Sequence, residues 1–144
     1  MSPGVQRFTA RGLPPVVLLA IVCTSAGCGG AADVADVRAV SERFSAAFEA
    51  QDGERACAQL TPQTRAQLEE QEQHQCREAI TGVRLEPGSV DRVRVYALNA
   101  MVELSNGEAQ FLEQGQEGWR LSAVGCTPQK DKPRDHPYDC QVED

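Results

Sequence analysis

The sequence predicts an α+β domain: helices first, then a four-stranded antiparallel sheet, with two disulfides. Two observations predict the order of layers. Between 33 and 80 the apolar residues recur at steps of three and four, and between 90 and 124 they alternate with a period of two. A third predicts the bridges. Four cysteines, Cys57, Cys76, Cys126 and Cys140, follow a leader that reads as an export signal.

Residues 1–27 are that signal. Arg7 and Arg11 form a positive start with no acidic neighbour, and 16–23 is a continuous apolar run. A membrane span needs about 20 such residues, whereas a signal peptide needs far fewer. Ser25-Ala26-Gly27-Cys28 then resembles the lipobox of bacterial lipoproteins, with Ser25 where an aliphatic residue is commoner. The resemblance implies cleavage before Cys28 and a lipid on its sulfur. The chain is then anchored at the cell membrane on its extracytoplasmic face, or secreted where the lipobox is not processed. Residues 28–32, rich in Gly and Ala, read as a flexible tether.

Leaving out Arg7 and Arg11, the remaining 12 Lys and Arg face 21 Asp and Glu, a net charge of −9. A chain of this sign lacks the basic footprint of a nucleic-acid binder. Its surface is also unsuited to anionic lipid. The charge favours solubility.

The first helix is expected over 33–50, with Asp33 as N-cap. Val34, Val37, Val40, Phe44 and Phe48 make one apolar stripe, widened by Ala47. Gln51-Asp52-Gly53 ends it, with Gly53 suited to a left-handed cap. A short helix over 54–60 follows, with Ala56, Cys57 and Leu60 inward. Thr61-Pro62 restarts the helical pattern, Thr as cap and Pro at the first helical position. Helices over 61–71 and 72–80 come next, separate or continuous, and Gly82 stops them. Residues 83–89, with Pro87-Gly88, read as a loop or weak edge strand feeding the sheet.

In the sheet, Val93, Val95 and Ala97 alternate with Arg92, Arg94 and Tyr96. Ala100, Val102 and Leu104 alternate with Met101, Glu103 and Ser105. Asn106-Gly107 predicts a type I′ hairpin, since both residues tolerate positive φ. Residues 109–113 return, and Gly115 and Gly118 bracket another turn. Trp119, Leu121 and Ala123 alternate with Arg120, Ser122 and Val124. Trp119, the sole tryptophan, is expected beside Phe111 as the largest core anchor. The domain proper is thus 33–127. Residues 128–144 are polar and proline-rich, and read as a tail clipped by a cysteine.

Four cysteines allow three pairings. Cys57–Cys76 and Cys126–Cys140 join neighbours in the chain, one pair within the helices and one at the tail. Each closes a loop worth about 3 kcal/mol in the chain-entropy model. No C-x-x-C spacing supports zinc instead.

This order of elements resembles the nuclear-transport-factor-2-like superfamily, and more narrowly its small exported actinobacterial members. The matching text is Phe48-Glu49-Ala50-Gln51-Asp52-Gly53, Ala56-Cys57-Ala58-Gln59-Leu60-Thr61-Pro62, Gly118-Trp119-Arg120-Leu121, Gly125-Cys126 and Pro137-Tyr138-Asp139-Cys140. The resemblance implies a cone, in which a curved sheet wraps the long first helix around a cavity. Phe44, Phe48, Val95, Phe111 and Trp119 would line that cavity.

Enzymes of this superfamily use a cavity carboxylate, sometimes with a tyrosine donor. Here Tyr96, Glu103 and Glu113 are the residues of that kind on the sheet, and their alternation with apolar neighbours places them toward solvent. His74 and Cys76, two apart on a helix, point away from each other. His136 lies in the tail. No Ser or Cys nucleophile has an evident partner, and no glycine-rich phosphate loop has the right context. The sequence therefore points to a non-catalytic, lipid-anchored accessory or binding domain, without metal or cofactor, acting with another envelope protein. The alternative is a small apolar ligand in the cone, and behind it an isomerase or dehydratase on the same scaffold.

Overall fold

The computed structural model describes residues 30–86, 88–130 and 137–144. The expected signal over 1–27, the expected lipidation site Cys28, and His136 lie outside them. Helix α1 (Ala31–Glu49) opens at Gly30, with no side-chain cap, three residues before the expected cap Asp33. Ala31 and Ala32, expected in the tether, are its first turn. Val37, Val40, Ser41, Phe44 and Ala47 form its buried face, while Val34 is exposed.

The cap after α1 is Gln51, with φ 55°, rather than Gly53. Asp52 N donates to Ala47 O at 2.8 Å, the long bond of a Schellman ending. Gly53 is needed for a different reason. It starts α2 (Gly53–Cys57), where any Cβ would overlap the backbone carbonyl of Arg77. Arg77 belongs to α4 (Cys76–Gly82), and the Cys57–Cys76 bridge, with Cα atoms 6.1 Å apart, ties the two short helices at that approach. Between them α3 (Pro62–Glu72) has Thr61 as N-cap, its side chain accepting from Thr64 N at 3.0 Å. Gln73, at φ 56°, separates α3 from α4, so the two are not one helix.

The sheet is antiparallel. β1 (Val90–Tyr96), β2 (Asn99–Leu104), β3 (Ala109–Gly115) and β4 (Gly118–Pro128) follow as a meander. It has six strands, not four: β5 (Tyr138–Asp139) and β6 (Val142–Glu143) both pair with β4. Two-residue strands carry too little pattern to be seen in sequence. The tail is thus part of the fold, and Val142 is 1% exposed in the main core.

The outer edge of β4 is covered from Leu121 onward. Leu60 bridges Leu121, with Leu121 N donating to Gln59 O and Thr61 N to Leu121 O, both at 2.8 Å. β6 and then β5 continue beyond it. At the other side of the sheet β1 is the edge strand. Asp91, Arg92 and Arg94, with a register shift between Val90 and Arg92, blunt it against pairing with other chains.

Two turns differ from expectation. The β2–β3 loop has three residues, with Gly107 N donating to Leu104 O at 3.0 Å and Leu104 N to Glu108 O at 2.8 Å. Gly107 has φ 88°, and Asn106 is not left-handed. Instead Asn106 Oδ1 accepts from Glu108 N at 3.0 Å, which stabilises a three-residue loop over type I′. The β1–β2 loop is Ala97-Leu98, with Ala97 at φ 53°, so β1 stops at Tyr96.

The alternation in β4 breaks at Ser122. Leu112 pairs with Leu121 but Phe111 with Ala123, a bulge of one residue. Trp119, Leu121 and Val124 therefore join the main core, and Ala123 turns to the opposite face. Helices α1–α4 cover the inner face, over Ala100, Val102, Leu104 and Leu112. Each fully buried Leu or Phe there contributes about 1.5–3 kcal/mol.

Candidate functional site

The five residues expected to line one cavity are divided between two places, the main core and the outer face of the sheet. Phe44 and Phe48, one turn apart on α1, stack with ring centroids 6.2 Å apart. Phe44 is buried and Phe48 half-buried beside it. Val95 packs against the same core from β1, and Trp119 lies inside it from β4. Phe111 faces the other way. On the outer face of the sheet it meets Tyr138 edge-on, with centroids 5.0 Å apart. Trp119 stands opposite Gln114, not Phe111, because the strand offset places Ala123 there.

What space remains beside the two phenylalanines is about 20 Å³, bounded by Leu85, Leu104, Glu108 and Gln110. That holds about one water molecule. Its polar wall is built from long-range contacts. Ser41 Oγ donates to Gln110 Oε1 at 2.6 Å, both buried, joining α1 to β3. Glu108, after the β2–β3 turn, sits at the rim. Burial pushes its carboxyl above the usual range, Asn106 opposes this by hydrogen bonding, and the nearby Glu86 adds to the rise. A carboxyl at the rim of an apolar pocket is the kind of group that general acid–base chemistry uses. The pocket, however, admits no substrate larger than water.

The other sequence candidates lie elsewhere. Tyr96 is 58% exposed at the end of β1. Glu103 is held by Arg94 at 2.7 Å and Arg92 at 3.5 Å across the outer face. Glu113 is exposed on β3. His74 Nδ1 lies 3.7 Å from Glu78 Oε2 on the surface. These groups do not converge.

A second space, open and of about 450 Å³, lies between the start of α3 and the β3–β4 turn, at Thr61, Pro62, Gln114, Glu117, Gly118 and Arg120. Its arginine is engaged, Nη1 donating to Trp119 O at 2.9 Å and Nη2 lying 3.8 Å from Glu117. Thr64 Oγ1, nearby, donates to Ser122 O at 3.0 Å and shares a 2.7 Å contact with Thr61 Oγ1. These hydroxyls serve the helix cap and the β4 bulge.

Among the described residues, no group of three or more His, Cys, Asp or Glu side chains forms a metal-sized cluster. None of their helices is long and apolar enough to cross a membrane. Ser41, Gln110 and Glu108 went unmarked in sequence, since their meeting depends on how α1 crosses the sheet. Ser41 within the α1 stripe was the one available signal. Compared with protein families, curated proteins and solved structures, the chain matches none.

Proposed function

We propose that this chain is a non-catalytic domain held on the extracytoplasmic face of the cell membrane by a lipid on Cys28, and that it works through its outer surface as an accessory or binding module for another envelope protein. The observation that carries the reading is the filled interior. Beside Phe44 and Phe48 the space is about 20 Å³, far below the few hundred Å³ of ordinary ligand sites. The two disulfides support an oxidising compartment. The passage of α1 over the inner face of a four-strand meander supports kinship with the cone-shaped superfamily.

The test is fractionation followed by capture. Cys28→Ser should move the protein from membranes to the soluble fraction or the medium. Retention in the membrane would end the lipid-anchor reading. Crosslinking on intact cells should then recover one envelope protein reproducibly. Recovery of none, with an unaffected envelope after deletion, would end the accessory reading. Ligand binding or isomerase chemistry would instead require the cavity to open, and an apolar fluorescent probe that binds and is lost on Phe48→Trp would favour that alternative.

A further inference from the structure

Three large apolar side chains stand out on the described surface: Val34 at 36% exposure, Tyr96 at 58% and Leu98 at 61%. Their positions have one thing in common. The stretch of α1 from Arg38 to Glu49 lies against one end of the sheet. Ser41 bonds Gln110 at the start of β3, Arg38 Nη1 reaches Val90 O at 3.2 Å, and Glu42, Ser45 and Glu49 border Gly88 and Ser105. Val90, Ser105 and Gln110 all belong to the end of the sheet that holds the β2–β3 turn. Going backward along α1 therefore leads toward the opposite end, where β1 finishes at Tyr96 and the Ala97-Leu98 turn begins. That course carries the start of α1, with Val34, from Val90 toward the side of the Tyr96–Leu98 tip.

The turn is held firmly. Gln114 N donates to Leu98 O at 2.8 Å, and Ala97 keeps φ 53°, a conformation uncommon outside glycine. Leu98 is thereby presented outward on a fixed backbone. The helix start imposes the second constraint. The cap of α1 is Gly30, two residues after Cys28. Two extended residues span at most about 7 Å, whatever their conformation.

From these we infer that the end of the domain bearing Val34, Tyr96 and Leu98 rests on the bilayer, with Tyr96 and Leu98 dipping into the headgroup boundary beside the lipid on Cys28. The inference rests on the lipid-anchor reading and adds an orientation to it. Leu favours the apolar side of that boundary, and Tyr suits it with an apolar ring and a polar tip. The same end carries Asp33 and Asp36 on α1, with Gln116 and Glu117 on the neighbouring β3–β4 turn. The three acids, Asp33, Asp36 and Glu117, oppose deep burial, so the contact is shallow and gains nothing from anionic lipid. The opposite end, with the β2–β3 turn at Asn106, then faces away from the membrane.

The experiment uses the processed full-length protein, extracted from membranes and reconstituted into phosphatidylcholine vesicles with brominated acyl chains. One variant carries a fluorophore at Leu98→Cys, a second at Asn106→Cys, about 20 Å away along β2. Both positions are exposed. The label at 98 should lose most of its emission and the label at 106 little. Replacing phosphatidylcholine in part by phosphatidylglycerol should not deepen the loss. A flexible Gly/Ser insert after Gly29 should relieve much of it. Equal quenching at both positions, or none at 98 in protein that remains vesicle-bound, would overturn the contact and leave the anchor standing. If the chain is not lipidated at Cys28 and floats free of vesicles, the anchor reading fails and the orientation with it.

Discussion

The two faces of the sheet are held by different means. The inner face carries Ala100, Val102, Leu104, Leu112, Leu121 and Val124, sealed by α1 and the short helices. The outer face has only a small buried cluster, Ala109, Ala123 and Cys126, under Met101, Phe111, Tyr138 and Cys140. Inside, burial of large side chains supplies the stability. Outside, a bridge and the two-residue β5 hold a short segment over a few apolar atoms, while β6 sends Val142 into the inner core. The bridges show the same contrast. Cys57–Cys76 closes a separation of 19 residues and Cys126–Cys140 one of 14, so their loop-entropy contributions are alike. Their surroundings are not. The first joins helices already packed to backbone contact at Gly53, while the second keeps β5 and β6 in place.

The largest expected effect is on the inner side. Phe44→Ala removes a ring that is 2% exposed and should cost about 3–5 kcal/mol, read as a cooperative shift in a denaturant curve. Next, Cys126→Ala with Cys140→Ala should cost about 3 kcal/mol. Hydrogen exchange should quicken first at 138–143, while the helices stay protected. Uniform loss of protection would mean that the tail and the helical side unfold as one unit, which would break the comparison.

Tyr138→Ala should be milder, about 1 kcal/mol or somewhat more, through the lost edge contact with Phe111 and the weak bond of its hydroxyl to Met101 Sδ at 3.6 Å. If it equals Phe44→Ala, the outer cluster is a second core. Trp119→Phe tests the inner face in a finer way. The Trp119 Nε1 hydrogen is buried and has no partner among the described residues. An unpaired donor costs about 1–3 kcal/mol, so its removal should offset much of the lost ring area, leaving a net change under about 1 kcal/mol.

The smallest effect is electrostatic. Glu108 has its folded-state pKa raised, chiefly by burial. The folded chain therefore binds a proton more readily than the unfolded one, and stability falls as pH rises from the ordinary glutamate range through the raised value. Glu108→Gln should be slightly more stable than the parent at neutral pH. The gain should vanish in acid below that range, as two thermal melts would show.

The helices and the meander were legible because each carries its own period. The α1 stripe from Val37 to Phe44 and the alternation of Ala100, Val102 and Leu104 follow from which side of an element meets water. Thr61-Pro62 marked the start of α3 through local capping chemistry, and the pairing of cysteines by nearness in the chain matches the two bridges in the structure. Other features needed the packed molecule. Gly53 looked like a helix cap, yet its role is to let α4 approach, a long-range contact that no local pattern encodes. The Ser122 bulge sent Ala123 outward and Val124 inward, since a one-residue shift reverses every later side chain. Of the supposed cavity, the sequence correctly marked Phe44 and Trp119 as apolar anchors but could not tell which residues would meet. That depends on strand register and on where α1 crosses the sheet. Taken alone, the sequence determined the kinds of the main elements and their order, because these rest on local periodicity and composition. The tertiary structure decided that the interior is filled, that the tail completes the sheet and that Phe111 belongs outside, because these depend on contacts between residues far apart in the chain.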